Sequence, residues 1–209
     1  MKSSLIILLW LTSLNTFGQE KTEFDAQKWL PTYDLATPKD WGIERFPIPI
    51  NFAPEIPYEG VEDIRFTQGW ANSTTNEYWT YAFLWCLEGK EKMNSKIIRN
   101  NLKYYYTGLV GSMQRDSLAN KTNIVKTEVK KVKTQKGDLK TFNASIEMID
   151  YMTNKPITLN CKVHIKSCLG QNKTFVFYEI SPKSFTDNVW KSLDDLWTGF
   201  SCEKSVEIK

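Results

Sequence analysis

Histidine is almost absent from this chain: one residue in 209, His164. A zinc site built from cysteine and histidine is therefore short of ligands, and hydrolysis by a Ser-His or Cys-His pair would have to run through that residue alone. His164 stands between Lys162 and Lys166 on the outward register of a strand pattern, with no carboxylate beside it in sequence to orient a base. It reads as an ordinary surface residue. No two cysteines form a CxxC pair, and no Gly-rich phosphate loop, HExxH, GxSxG or EF-hand loop occurs. No cofactor and no metal are expected. Repeats and low-complexity tracts are missing as well. The formal net charge is only +3, too small to draw a polyanion to the chain as a whole.

Long apolar runs are scarce too. The one that exists, Leu5 to Leu14, follows the single charge of Lys2 and precedes Thr16 and Gly18. It is shorter than the ~20 residues that cross a bilayer. Charge, apolar run and small-residue exit in that order are the layout of a secretory signal peptide cut after Gly18. The chain is expected to be periplasmic or secreted, with no membrane span once residues 1–18 are removed. No cysteine stands at the cut to carry a lipid. Export makes disulfides possible, and Cys86, Cys161, Cys168 and Cys202 allow three pairings. The pairing expected is Cys168 with Cys202, both just beyond the ends of predicted elements. Cys86 and Cys161 lie inside strand patterns as small hydrophobes.

What is abundant is aromatic and β-branched sequence. Residues 19–60 read as an irregular lead, aromatic first and then proline-rich. Pro47, Pro49, Pro54 and Pro57 hold its second half extended, at a sheet edge or outside the sheet. Residues 61–209 read as a single α+β domain. Val61 to Phe66 is a short strand. In the stretch EYWTYAFLWCLEG, Trp79, Tyr81, Phe83, Trp85 and Leu87 share one register, while Ala82, Leu84 and Cys86 share the other. A strand charged on neither face is central and covered on both sides. Ile98, Leu102, Tyr105, Leu109 and Met113 recur at helical spacing, with Asn94 or Ser95 as N-cap and with Gly108 ending or weakening the last turns. Four strands follow, over about 123–134, 139–152, 157–167 and 173–181, separated by short turns. A C-terminal helix over about 186–197 carries Val189, Leu193, Leu196 and Trp197 inward, capped by Ser184 or Thr186. This is an antiparallel meander sheet with a long helix packed on it and a C-terminal helix. A helix followed by a four-stranded antiparallel sheet resembles the cystatin-like arrangement, a likeness of fold that fixes no function.

Candidate sites follow from exposure and charge. Trp70, in the loop after Gly69, and Trp41, beside Gly42, are the tryptophans expected to be exposed and ligand-binding; Trp79 and Trp85 are expected in the core. Glu44, Glu55, Glu62, Glu77 and Glu88 are the acids that glycoside chemistry could use. Glu77 and Glu88, eleven residues apart on one extended stretch, lie too far apart to share a site. Asp194-Asp195 diverge on a helix and read as a solvated face. Seven lysines between Lys121 and Lys140 read as edge-strand protection rather than a polyanion site. Nucleic acid is not an expected partner. Sequons at Asn72, Asn120, Asn143 and Asn172 matter only in a host that glycosylates exported chains. The function expected is therefore non-enzymatic: an exported protein that binds a small molecule, glycan or protein in a cleft between sheet and helix. A carboxylate-dependent hydrolase acting on glycans and a carrier of apolar ligands such as fatty acids are the alternatives.

Overall fold

A computed structural model describes residues 24–113 and 125–203. The leader expected over residues 1–18, the Asn120 sequon and the start of the strand pattern expected over 123–134 lie outside them. The elements are β1 (Gly42–Ile48), β2 (Gly60–Phe66), β3 (Tyr81–Glu88), α1 (Ser95–Met113), β4 (Lys126–Lys131), β5 (Lys140–Ile149), β6 (Pro156–Lys166), β7 (Lys173–Ser181) and α2 (Val189–Thr198). All seven strands form one antiparallel sheet in the order β1-β2-β3-β7-β6-β5-β4. It consists of two meanders, β1 to β3 and β4 to β7, joined where β3 pairs with β7. The class is α+β. Pro47 sits in β1 at one edge of the sheet, where its missing N–H breaks no ladder between neighbours. The lysine-bearing β4 is the other edge.

Period-two alternation sends the two registers of β3 to opposite faces. Tyr81, Phe83, Trp85 and Leu87 join α1 in one apolar cluster, and Ala82, Leu84 and Cys86 join α2 and the N-terminal lead in another. Both registers are buried. On the α1 face, Phe83 stacks between Tyr178 of β7 (centroids 4.5 Å apart, planes 17°) and Tyr105 of α1 (5.1 Å, 6°). On the other face, Trp197 of α2 stacks on Phe177 at 5.0 Å and on Phe200 at 5.0 Å.

Asn94 caps α1, its side-chain oxygen accepting from the N–H groups of Lys96 and Ile97 at 3.0 Å. The helix runs through Gly108 to Met113, so Gly108 does not end it. That residue is glycine because β-carbon there would lie 1.7 Å from the carbonyl oxygen of Phe52. The buried stripe is Ile98, Leu102, Tyr105, Tyr106 and Val110; Leu109 is half-buried and Met113 exposed, contrary to the expected face. Ser184 and Thr186 bond each other and do not cap α2; Asp187 accepts the Val189 N–H at 2.9 Å instead. Trp190, not Val189, completes the inner face of α2.

The lead is tied down by a buried ion pair. Asp63 of β2 accepts from Arg65 (2.5 Å), Arg45 (2.8 Å) and the Tyr33 hydroxyl (3.0 Å). Arg65 also donates to the carbonyls of Leu35 and Ala36. A disulfide joins Cys168 to Cys202, and Asp34 bridges Ser201, so the lead and the segment after α2 close together over the α2 face. Cys86 and Cys161 are buried free thiols.

Two substitutions separate the roles of the α1 glycines. Gly108→Ala is expected to lower stability by about 1–3 kcal/mol through overpacking, while Gly111→Ala, with open space around it, is expected to raise it by up to ~1 kcal/mol. Equal effects in urea denaturation would contradict the close approach of Phe52. The Cys168→Ser, Cys202→Ser double variant is expected to lose roughly 2–4 kcal/mol, since the bridge closes a loop of 34 residues. Unchanged unfolding after reduction would contradict a stapled C-terminus.

Candidate functional site

The α1 helix does not cover its face of the sheet completely. Near its C-terminal half a cleft of about 180 Å³ opens between the helix and β1–β3. Phe46, Ile64, Phe66 and Tyr81 rise from the strands, because each falls on the α1-side register fixed by the pairing of Glu44 with Ile64 and Ile64 with Phe83. Tyr105 and Leu109 descend from the helix, and Tyr151 enters from the β5–β6 turn. Trp70 and Trp79 come from the β2–β3 connection. Glu44, exposed on the edge strand, is the one charged residue among the described lining residues.

The rings form two touching chains. Phe46, Phe52 and Tyr105 make one, with centroids 6.3 and 5.1 Å apart and planes inclined at 65° and 78°. Phe66, Trp70, Tyr81, Trp79 and Tyr151 make the other. Inclined rings enclose a concave surface rather than filling it, as parallel stacking would.

The connection that presents Trp70 is held by its own polar groups. Thr67 donates to the Thr80 carbonyl (2.9 Å), Thr75 donates to the Gly69 carbonyl (2.9 Å), and Glu77 accepts the Gly69 N–H (2.8 Å). Trp79 then bonds its N–H to the Trp70 carbonyl at 2.7 Å. Trp79 is not the first residue of the strand, as its register implied. It sits before β3 at φ +54°, a left-handed conformation that strains a bulky side chain. It is 1% exposed, and its indole supports the charge of the Asp150 carboxylate. A strained backbone at a buried, bulky residue is unusual in a region that serves packing alone.

The five candidate acids do not converge. Glu77 holds the loop, Glu88 pairs with Lys173, and Glu55 is exposed in the segment between β1 and β2. Glu62 is completely buried on the α1 face, one oxygen accepting from Trp85 Nε1 (3.0 Å) and the other from the Tyr105 hydroxyl (2.7 Å). Burial, against these two hydrogen bonds, pushes its carboxyl up to about 8, and the charge of Glu44 adds to the rise. Glu62 supports Tyr105 from behind and does not line the cleft.

Trp41 and Trp70, expected to be exposed, are both half-buried against neighbouring rings, and they do not share a site. Trp41 is half-buried against the cluster on the α2 face, while Trp70 lines the cleft on the other. Trp85 is core.

His164 is not a surface residue. It is 0% exposed, covered by Trp197 of α2 at 5.4 Å. The strand pattern places it on the second face but says nothing of what covers that face. Two carboxylates flank it: Asp138 meets Nδ1 at 2.8 Å, and Glu179 lies 3.4 Å from Nε2. Asp138 also accepts from Thr141 (2.6 Å) and Trp197 Nε1 (2.8 Å). Lys162 and Asp194 extend the cluster to the surface. Burial disfavours the imidazolium, but the two carboxylates outweigh it and raise the His164 pKa. Burial raises Glu179 despite His164. With both ring nitrogens facing carboxylates and no solvent access, this cluster anchors α2 to the sheet; it is not a nucleophile–base pair. Among the described residues, no helix is long and apolar enough to cross a membrane.

No known family model matches the sequence, and comparison with curated proteins finds no similar one.

The buried acid predicts a pH signature. Unfolded, the Glu62 carboxyl ionises near its ordinary 4.5; folded, it keeps its proton to about 8. The folded state therefore binds more protons in that window, and stability falls as pH rises through it. Glu179 and His164, both raised, act in the same direction. Glu62→Gln is expected to flatten the decline between pH 5 and pH 8.5 in urea titrations. A variant with the wild-type slope would contradict a protonated Glu62.

Proposed function

We propose that this chain is an exported, non-enzymatic binding protein of the cell envelope or exterior that takes a small ligand into the cleft between β1–β3 and α1. The observation that carries the reading is Trp79: a buried tryptophan held in a strained left-handed conformation, in the wall of a concave aromatic cleft whose mouth holds the loop residue Trp70. A volume of about 180 Å³ suits a single ring or a short branched chain; a cavity of about 150 Å³ takes up benzene. The leader-like N-terminus and the Cys168–Cys202 bridge support export to an oxidising compartment. The order of a long helix and a four-stranded antiparallel meander supports a cystatin-like arrangement for the second half of the molecule, without implying an activity.

The scattered acids weigh against a glycan hydrolase. Glu44 alone stands in the cleft, and a second carboxylate facing the same guest is what that chemistry requires.

Benzyl alcohol is a neutral, ring-sized probe for this site. It is expected to shift tryptophan emission on binding, and Trp70→Ala is expected to weaken binding by about tenfold through lost ring contact. Trp41→Ala, on the opposite face, is expected to leave binding unchanged. Absence of binding, or equal weakening by both substitutions, would contradict the cleft.

A further inference from the structure

We infer that the ligand class of this cleft is a small hydrophobic organic cation, a quaternary or tertiary ammonium held against the aromatic rings with its charge toward Glu44. The inference rests on the cleft being the binding site and goes further by naming what the cleft selects.

The argument is electrostatic complementarity. Eight of the twelve described lining residues are Phe, Tyr or Trp, one is a carboxylate, and none is Lys, Arg or His. An aromatic face carries negative quadrupole potential, so inclined rings around a guest favour a positive charge spread over methyl groups. The touching ring pairs of the wall are inclined by 32° (Phe66 and Trp70) to 78° (Phe52 and Tyr105) around the cleft they line. A compact, strongly hydrated cation such as a lysine ammonium or Na⁺ keeps its water and gains less. A methylated ammonium is weakly hydrated and loses little on entry.

A second carboxylate reinforces the field. Asp150 adjoins the lining residue Tyr151 and is held by the Tyr78 hydroxyl (2.5 Å), the Thr153 hydroxyl (2.5 Å) and the Met152 N–H (2.8 Å). Burial opposes its charge, but these hydrogen bonds outweigh burial and keep its carboxyl below the usual range. Burial first, and then the charges of Asp150 and Glu44, push the Tyr151 phenol up to about 12. Asp150 is buried behind the lining, engaged by its donors and by the indole of the lining residue Trp79, whereas Glu44 stands in the cleft itself. On the opposite side of β1, Arg45 is turned to the other face and bonded to Asp63, so the strand that presents Glu44 brings no cation to the cleft. The same field disfavours a fatty-acid carboxylate, which sets this reading apart from a fatty-acid carrier.

The test compares three guests of nearly one shape at matched ionic strength: choline chloride, its neutral isostere 3,3-dimethylbutan-1-ol, and the anion 3,3-dimethylbutanoate. Isothermal titration of the mature chain is expected to show choline binding about tenfold tighter than the alcohol, with the anion weakest. Glu44→Gln is expected to weaken choline by about threefold, as befits an exposed partner, and to leave the alcohol unchanged. Trp70→Ala is expected to weaken choline and the alcohol alike. If the alcohol binds as tightly as choline and Trp70→Ala weakens it, the cleft stands and the cation inference falls. If Glu44→Gln leaves choline unaffected, the assigned role of Glu44 falls. If choline, the alcohol and benzyl alcohol all fail to bind, the cleft itself falls, and the inference with it.

Discussion

The pairing of β3 with β7 is the constraint on which the rest of the molecule depends. It joins the two meanders into one sheet, and both of its strands are buried on both faces. A seam of that kind cannot leave either side to water. Burial of apolar surface at about 25 cal/mol per Å² drives a cover onto each face, and truncating a large side chain there costs roughly 3–5 kcal/mol. On one side the cover is α1, keyed by the Tyr178–Phe83–Tyr105 stack. On the other it is α2 with the N-terminal lead, fastened by the Asp63–Arg65 pair, the His164 cluster and the disulfide.

The two covers are not equivalent, and the candidate function follows from the difference. The α2 face is locked by charged groups, several of which reach across elements: Asp63 of β2 to Arg45 of β1 and Tyr33 of the lead, and His164 of β6 to Asp138 and to Glu179 of β7. The α1 face is locked mainly by rings, and its polar groups, Glu62 among them, are drawn inward to Trp85 and Tyr105. Where the helix reaches its C-terminal turns, the strands beneath it still present Phe46, Phe66 and Tyr81. Nothing among the described residues fills that space. The strained Trp79 and the braced loop carrying Trp70 hold the cleft open at the point where cover gives way to solvent.

Much of this architecture is legible in the sequence, for stated reasons. Both registers of β3 are uncharged, which foretells burial on two sides. The alternation of β6 and the turns before β6 and β7 foretell the meander, and Asn94 ahead of an apolar stripe foretells its cap. What is hidden depends on contacts distant in sequence. His164 alternates with apolar residues and sits between lysines, so period two gives its side of the sheet but not the helix above it. A signal was present all the same: Ala82, Leu84 and Cys86 showed that the second face is covered at β3, and the cover extends two strands further, over Phe177 to its neighbour His164. Gly108 resembles a helix end until the Phe52 carbonyl is brought against it. The cleft draws on β1, β2, β3, α1 and two connections, and no local pattern unites them. Among its residues, sequence marks only Trp70 and Glu44 as site candidates.

Hydroxyl-radical footprinting of the folded mature chain, read residue by residue by mass spectrometry, tests the doubly covered seam most directly. Trp85 on the α1 face and Trp197 on the α2 face should both resist oxidation until global unfolding, while Trp70 at the cleft mouth reacts in the native state. Oxidation of Trp85 or Trp197 at a rate matching Trp70 in the native protein would contradict a seam closed on both faces, and with it the cleft as the place where the cover ends.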